Sequence, residues 1–467
     1  MAGLEDLGHE LKAMLGPETS ERSLIPVFSR GEKAQTSKIP FLNIAIIGGG
    51  YAGMAAAVTL AAQRIPVTVF ESAKQLGGRA RGVWHRDTQL DNGQHILLGC
   101  YRHTLNLIQQ VGGNIEQDFM RLPLQLTLHK RFELKAPRLP APLHLVGALL
   151  TAQGITLGQK LDAVRFMLTL RRTRFKLAQD ITALELLRAH QQGELINLLW
   201  EPICISALNT PLHKASAQVL LNVLRDSLNG SRADSDMLLP RMDFSRLFPD
   251  RAAEFVKRQG GIVQTGCSVD AIMPQQDGIE LRTAQGAQMF SHVICAASPA
   301  AAARLFHQVP LLTPIAVQIE AMPHQPIYTV YMQYPQQVRL PYPMLGFDRC
   351  ITQWLFDKGQ IAGQPGLIAA VISAEGIHQA LEHEQLAQKV AVELADQLGI
   401  HEKPVWHQVI AEKRATFSCE VNLSRPAQFT PLANVLLAGD YTQGEFPATL
   451  EGAVISGVQC ARKILNG

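Results

Sequence analysis

Six consecutive residues, Gly48-Gly49-Gly50-Tyr51-Ala52-Gly53, carry the spacing G-x-G-x-x-G. They follow an apolar, β-branched run, Phe41–Ile47, and lead into a helix-like run, Ala52–Ala62. In that setting the pattern predicts a cradle for a pyrophosphate rather than a turn that only aids packing. Gly48 permits the tight turn, Gly50 lets backbone approach the phosphates, and Gly53 lets helix and strand pack closely. Tyr51 and Ala52 open the helix, whose free N–H groups would face the negative charge. Glu71 ends a second strand, Val67–Glu71, about 18 residues past Gly53. Its carboxylate could accept hydrogen bonds from ribose hydroxyls and would repel the extra phosphate of an NADP-type dinucleotide.

NAD and FAD share this motif, and the strips that follow it discriminate. In Leu76-Gly77-Gly78-Arg79-Ala80-Arg81, Gly78 allows close backbone approach and Arg79 offers a guanidinium to phosphate. Leu90-Asp91-Asn92-Gly93-Gln94-His95 sets Gly93, Gln94 and His95 where a flat ring could lie. Near the C-terminus a buried strand, Val435–Ala438, runs into Gly439-Asp440, and the aspartate could bond a ribityl or ribose hydroxyl. Pro447-Ala448-Thr449-Leu450-Glu451-Gly452-Ala453 then starts a helix whose N–H groups would face the pyrimidine edge of a flavin. Four strips in this order predict FAD. No cysteine or histidine stands in an obvious attachment motif, so the binding is expected to be noncovalent.

These strips need a scaffold larger than one core, and the 467 residues allow it. With 47% hydrophobic and 18% charged residues the chain reads as globular. The net charge of +3 and the sparse aromatics do not suggest nucleic-acid binding. The seven cysteines are scattered, without C-x-x-C or metal-like spacing, and read as reduced thiols of a cytoplasmic protein. No apolar run approaches the roughly 18–20 residues that span a bilayer. We expect an α/β fold with a discontinuous Rossmann-type domain formed by residues 41–125, 240–300 and 405–467. Residues 126–239 and 301–404 would form an inserted domain of mixed sheet and helical cap. Residues 1–40 read as a leader, poorly ordered or forming a short docking helix through Leu4, Leu7, Leu11 and Leu15.

Together these strips resemble the amine oxidase/phytoene desaturase superfamily of flavoproteins, from Leu42 to Leu465. Within it the chain looks most like the hydroxysqualene dehydroxylases, squalene-associated FAD-dependent desaturases. That likeness is carried by Leu90–Gly99, Leu139–His144, Trp200–Asn209, Glu412–Phe417 and the Gly439-Asp440 and Pro447–Gly452 strips. The resemblance implies that Gly48, Gly50, Gly53, Glu71, Arg79 and Asp440 hold FAD. It also implies that the backbone at Val269 contacts adenine and that Leu450 gives an N–H to a flavin carbonyl. One departure is informative: amine oxidases usually carry an aromatic where Thr449 stands. A threonine lacks the π-face that would steer an amine, which suits an apolar substrate.

What the resemblance implies chemically is reductive removal of the hydroxyl of hydroxysqualene, in squalene and hopanoid synthesis. The partners would be a hydrophobic isoprenoid and an electron donor of unknown identity. A proton donor is needed, and His95 and Glu445 are the candidates, with Asp348 and Asp357 behind them. His95 reads equally as a structural histidine, Glu445 as a solvated loop carboxylate, and Asp91 as a residue that fixes its loop. Leu139–Leu150 with Arg171, Arg172, Arg174 and Lys176 reads as a peripheral docking face on the inner side of the cytoplasmic membrane, or as a cap helix beside a solvated cationic cluster. A carotenoid-type desaturase or isomerase and a noncatalytic prenyl-binding escort are the alternatives.

Overall fold

The structure, a computed structural model, describes residues 42–191 and 193–466. The leader 1–40 and its leucine pattern lie outside the described residues. Five parallel strands form one sheet in the order Ile262–Thr265, Val67–Glu71, Ile44–Ile47, His292–Cys295 and Val435–Leu437. Ile44–Ile47 and Val67–Glu71 are buried at every residue, as strands covered on both faces must be. Two helices pack together on this sheet, Tyr51–Ala61 and Leu450–Leu465. They approach so closely that a Cβ at Gly457 would lie 2.0 Å from the Ala52 carbonyl oxygen. Strands from distant parts of the sequence thus make one layer. A separate three-stranded antiparallel sheet, Val269–Gln275, Gly278–Thr283 and Gly286–Phe290, connects Ile262–Thr265 to His292–Cys295 along the chain.

A second sheet has seven strands in the order Trp406–Phe417, His324–Gln333, Leu367–Ser373, Trp354–Asp357, Met344–Gly346, Gln125–Leu128 and Phe132–Lys135. Its side chains alternate between two apolar layers. Tyr328, Val330 and Met332 pack with Leu386, Val390 and Leu394 of the helix His383–Leu398. Tyr331, Val371, Trp354 and Leu128 face the opposite way, into the larger core shared with the cap helices. That cap comprises Leu143–Thr151, Leu157–Arg172, Ala183–His190, Glu201–Leu208 and Ala217–Leu228. Thr156 with Gln159, and Thr182 with Glu185, close capping boxes at two of its helix starts.

The α/β class, with mixed sheet and a helical cap beside a parallel sheet, agrees with the sequence reading, but the boundary at 405 needs correction. Trp406–Phe417 pairs with His324–Gln333 along its length and belongs to the seven-stranded sheet. Its apolar alternation identifies a strand without saying which sheet it joins, and only the pairing partner decides that.

Candidate functional site

The three glycines of the turn differ in what surrounds them. Gly48 has φ +110°, and a Cβ there would stand 2.5 Å from the Ala296 carbonyl oxygen. A Cβ at Gly53 would stand 1.9 Å from the Gly48 carbonyl oxygen. At Gly50 the nearest atoms, in Gly77 and Gly78, are 3.9 Å from the Cβ position. Nothing in the protein therefore requires glycine at 50, and the open space beside it is where a ligand would press. The helix it starts has no side-chain cap, which leaves the first-turn N–H groups of Tyr51, Ala52 and Gly53 to face that space. Tyr51 contributes backbone only. Its hydroxyl donates to the Phe244 carbonyl at 3.0 Å and its ring packs on Phe248, turned away from the turn.

Glu71 is more committed than its motif position suggests. One oxygen accepts from the Gly49 N–H at 2.7 Å and the other from the Ala73 N–H at 2.8 Å. The carboxylate locks the turn, and only its remaining lone pairs could reach a ribose. Val269 sits beside this end of the sheet, because the Cys267 N–H donates to the Glu71 carbonyl at 2.9 Å.

The two ends of the chain meet at Arg79. Gly50 pairs with Gly77, two residues before it, and the Arg79 guanidinium forms an ion pair with Asp440 while donating to the Ala415 carbonyl at 2.7 Å. Gly439, at φ +158°, turns the chain beside the Tyr441 ring. Thr449 caps the last helix by accepting from the Gly452 N–H at 3.1 Å, and the Leu450 N–H lies in that first turn. Glu451 is buried and ties that helix to the one at Arg102–Gln110 by accepting from the His103 and Thr104 N–H groups, each at 2.9 Å.

The strip Asp91–His95 forms the third wall. Gly93, like Gly50, has an open Cβ position, bounded only by His95 Cε1 at 3.7 Å and Thr329 Oγ1 at 4.0 Å. The Thr329 hydroxyl is buried with no hydrogen-bond partner among the described residues. His95 Nδ1 lies 2.7 Å from the Gly93 carbonyl oxygen. A carbonyl only accepts, so Nδ1 carries the proton and Nε2 of the neutral ring is an acceptor. Burial, then the nearby Arg79 charge, push the His95 pKa down against that bond. Neutral His95 is poorly suited to donate a proton, and the structural reading of it gains. Glu445 is 66% exposed and ion-paired with Arg225 at 2.9 Å, the surroundings of a solvated loop carboxylate. Asp357 caps a helix through the Gln360 N–H at 3.0 Å and Asp348 pairs with Arg131 at 3.0 Å, so neither is free for acid work.

Sequence reasoning missed Lys358. It is buried, 3.4 Å from Gln94 Oε1 and 4.0 Å from Asp91 Oδ2. Gln94 therefore spends its side-chain oxygen inside the protein. Asp91 holds its loop to the Phe244 N–H at 2.9 Å, and burial raises its pKa to about 6 although Lys358 opposes the rise. A lone lysine after an apolar strand gives no signal in sequence that it will be buried against a carboxylate from far upstream.

The family described as "Flavin containing amine oxidoreductase" matches residues 51–465. The chain belongs to that family. As a member it is an FAD-dependent oxidoreductase, and the residues fit the cofactor: two glycines have no protein reason to be glycine, the helix start is uncapped, and a buried hydroxyl lacks a partner among the described residues. Among curated proteins the chain is similar to the hydroxysqualene dehydroxylase of Rhodopseudomonas palustris, at 28% identity over 91% of this chain and 98% of that protein. It is similar to the zeta-carotene desaturase of Arabidopsis thaliana at 21% identity, over 92% of this chain and 86% of that protein. Among solved structures, an oxidoreductase from Methanosarcina mazei shares the fold with a TM-score of 0.71 at 13% identity, covering 90% of this chain and 99% of that one.

Proposed function

We propose that this flavoenzyme reductively removes the hydroxyl of hydroxysqualene to give squalene, using electrons from a donor outside the chain. The observation that carries the reading is the near end-to-end likeness to hydroxysqualene dehydroxylases, at higher identity than to the carotenoid desaturase. When bound, reduced FAD supplies the hydride that replaces the hydroxyl, which leaves with a proton as water, so one alcohol and one reduced flavin give one hydrocarbon, water and oxidised flavin.

The residues of the chain would act around that exchange. Gly50 and the uncapped turn at Tyr51–Gly53 would hold the pyrophosphate, with Gly78, Arg79 and Asp440 fixing the neighbouring segment. Glu71 and the Val269 backbone would bound the ribose and adenine end, and Gly439, Thr449 and Leu450 the pyrimidine edge. Gly93, Gln94 and His95 would lie along the ring. The neutral His95 would keep that strip in shape through its bond to Gly93. The apolar inner face of the seven-stranded sheet would exclude water from the reacting carbon.

Peripheral contact with a membrane belongs to the same proposal, because the substrate is a lipid. Leu139, Leu150 and Leu157 are exposed at the entry to the cap and support it. His144, Val146, Ala148 and Leu149 of the helix Leu143–Thr151 point inward, so the contact would be shallow. Among the described residues no helix is long and apolar enough to cross a membrane.

Anaerobic mixing of reduced holoenzyme with hydroxysqualene tests the reading. Flavin reoxidation and squalene should appear together in equal amounts. Turnover of phytoene by the oxidised enzyme, with no dehydroxylation, would replace the reading by a desaturase.

A further inference from the structure

Strand pairing sets Ile410, Thr329, Val371, Trp354, Gly346 and Leu128 side by side in one row across six strands. Residues directly opposite one another share a face, and the buried members of this row lie in the core layer of the cap. Neighbouring strands are about 4.8 Å apart, so the four steps from Thr329 to Leu128 cover roughly 19 Å. At the near end the unpartnered Thr329 hydroxyl borders the open space over Gly93. At the far end lies a cavity of about 340 Å³ whose walls include Leu128, Glu201, Pro202, Ile205, Phe347 and Trp354.

Trp354 stands between the two ends. A Cβ on Gly346 would lie 3.0 Å from its ring, so the missing side chain at 346 is what lets the indole lie across the row. The indole N–H donates to Ser206 Oγ at 2.9 Å, which fastens the sheet to the cap helix Glu201–Leu208. A π-helical turn, Ile196–Trp200, feeds that helix and reshapes its start. Asn197, Asp348, Arg349 and Gln353 complete the wall on the polar side, where Asp348 pairs with Arg131 at 3.0 Å and Arg349 with Glu194 at 3.1 Å.

We propose that this cavity receives the far end of the isoprenoid chain whose reacting carbon lies at Gly93 and Thr329, with Trp354 as the divider that sets chain length. The assignment rests on the dehydroxylation reading above and adds a distal subsite to it. An extended hydrocarbon chain laid along the row would cover Val371 and Trp354 and end against Leu128, Pro202 and Ile205. Burial and the neighbouring Asp348 charge both push the Glu201 pKa up, which makes its carboxyl a less costly neighbour for hydrocarbon.

The test fills the cavity and varies the chain. Holoenzyme carrying Ile205→Trp is compared with wild type on hydroxysqualene and on a truncated alcohol that keeps the reacting carbinol but lacks the distal isoprene units. The expected result is a loss of at least about tenfold in kcat/KM for hydroxysqualene, mainly through KM, with less than about twofold change for the truncated alcohol. Ser206→Ala, which frees the indole, should shift the ratio between the two substrates without changing flavin content. Asn197→Trp, on the exposed side of the same wall, serves if Ile205→Trp fails to fold. Equal effects on both substrates, or none on hydroxysqualene, would overturn the subsite while leaving the reaction intact. Wild-type enzyme that does not convert hydroxysqualene at all would instead overturn the reaction, and the subsite with it.

Discussion

The glycine cradle on the five-stranded sheet and the inner face of the seven-stranded sheet carry their specificity in different parts of the chain. In the cradle it lies in backbone and in missing side chains, packed into Gly48–Gly53, where each residue meets neighbours a few positions away or one strand over. On the inner face it lies in side chains, one from each of six strands drawn from residues 128 to 410. A backbone site tolerates almost any change of side chain outside its glycines and almost none at them. A side-chain face can be tuned residue by residue without unfolding the sheet.

The largest contrast is expected within the cradle itself. Gly53→Ala drives a methyl group into the Gly48 carbonyl and should cost about 3 kcal/mol or more, giving protein with little folded population. Gly50→Ala has room for its methyl and should unfold within about 1 kcal/mol of wild-type apoprotein, yet lose FAD. Thermal unfolding and flavin absorbance read the two effects separately; a Gly50→Ala protein that keeps FAD at wild-type affinity would remove the cradle assignment.

Next in size is the pair that joins the two ends of the chain. Asp440→Asn leaves the Arg79 guanidinium without its counter-charge and should cost about 1–3 kcal/mol, with weaker FAD retention on dialysis. The buried Asp91 gives an effect of similar order that depends on pH. Its folded pKa of about 6 lies above the ordinary aspartate value of 3.8, so ionising it opposes folding. The sign follows from proton binding: the folded state holds the proton more tightly, so stability is lost as pH rises from about 4 to 6 and is level above that. The shift of about two units corresponds to about 3 kcal/mol. Lys358→Met removes the cation that opposes the rise, so the decline should continue past pH 6; denaturant midpoints from pH 4 to 8 would show where it ends.

Smaller still is the expected change on the inner face. Thr329→Val conserves shape and removes an unpartnered buried hydroxyl, so the fold should hold or gain about 1 kcal/mol. Turnover of hydroxysqualene should fall if that hydroxyl meets substrate or cofactor, and an unchanged kcat would mean it meets neither. Glu445→Gln should do least, within about 0.5 kcal/mol and twofold in rate, since Glu445 is exposed and Arg225 keeps its pair with Asp226.

Much of the fold and the cofactor was legible before any coordinates. Gly48, Gly50 and Gly53 fall in one strand–turn–helix, where spacing along the chain is spacing in space, and the apolar runs around them match the observed strands and helices. The order of four strips was enough for FAD because each strip is local. Tyr51 was read as a cofactor contact from its place in the motif, and nothing short of packing could turn its ring toward Phe248. Gln94 was read likewise, before Lys358 was known to claim its oxygen.

By itself, then, the amino-acid order determined the glycine turn, the α/β class and the family, because backbone geometry and hydrophobic period are short-range properties. Tertiary structure alone decided that Arg79 meets Asp440, that Trp406–Phe417 joins the second sheet, that His95 bonds Gly93 as a neutral ring, and which six residues form the row. Those facts depend on which distant segments share a water-excluded space, and in such a space each polar group is held to the partner that packing brings within reach.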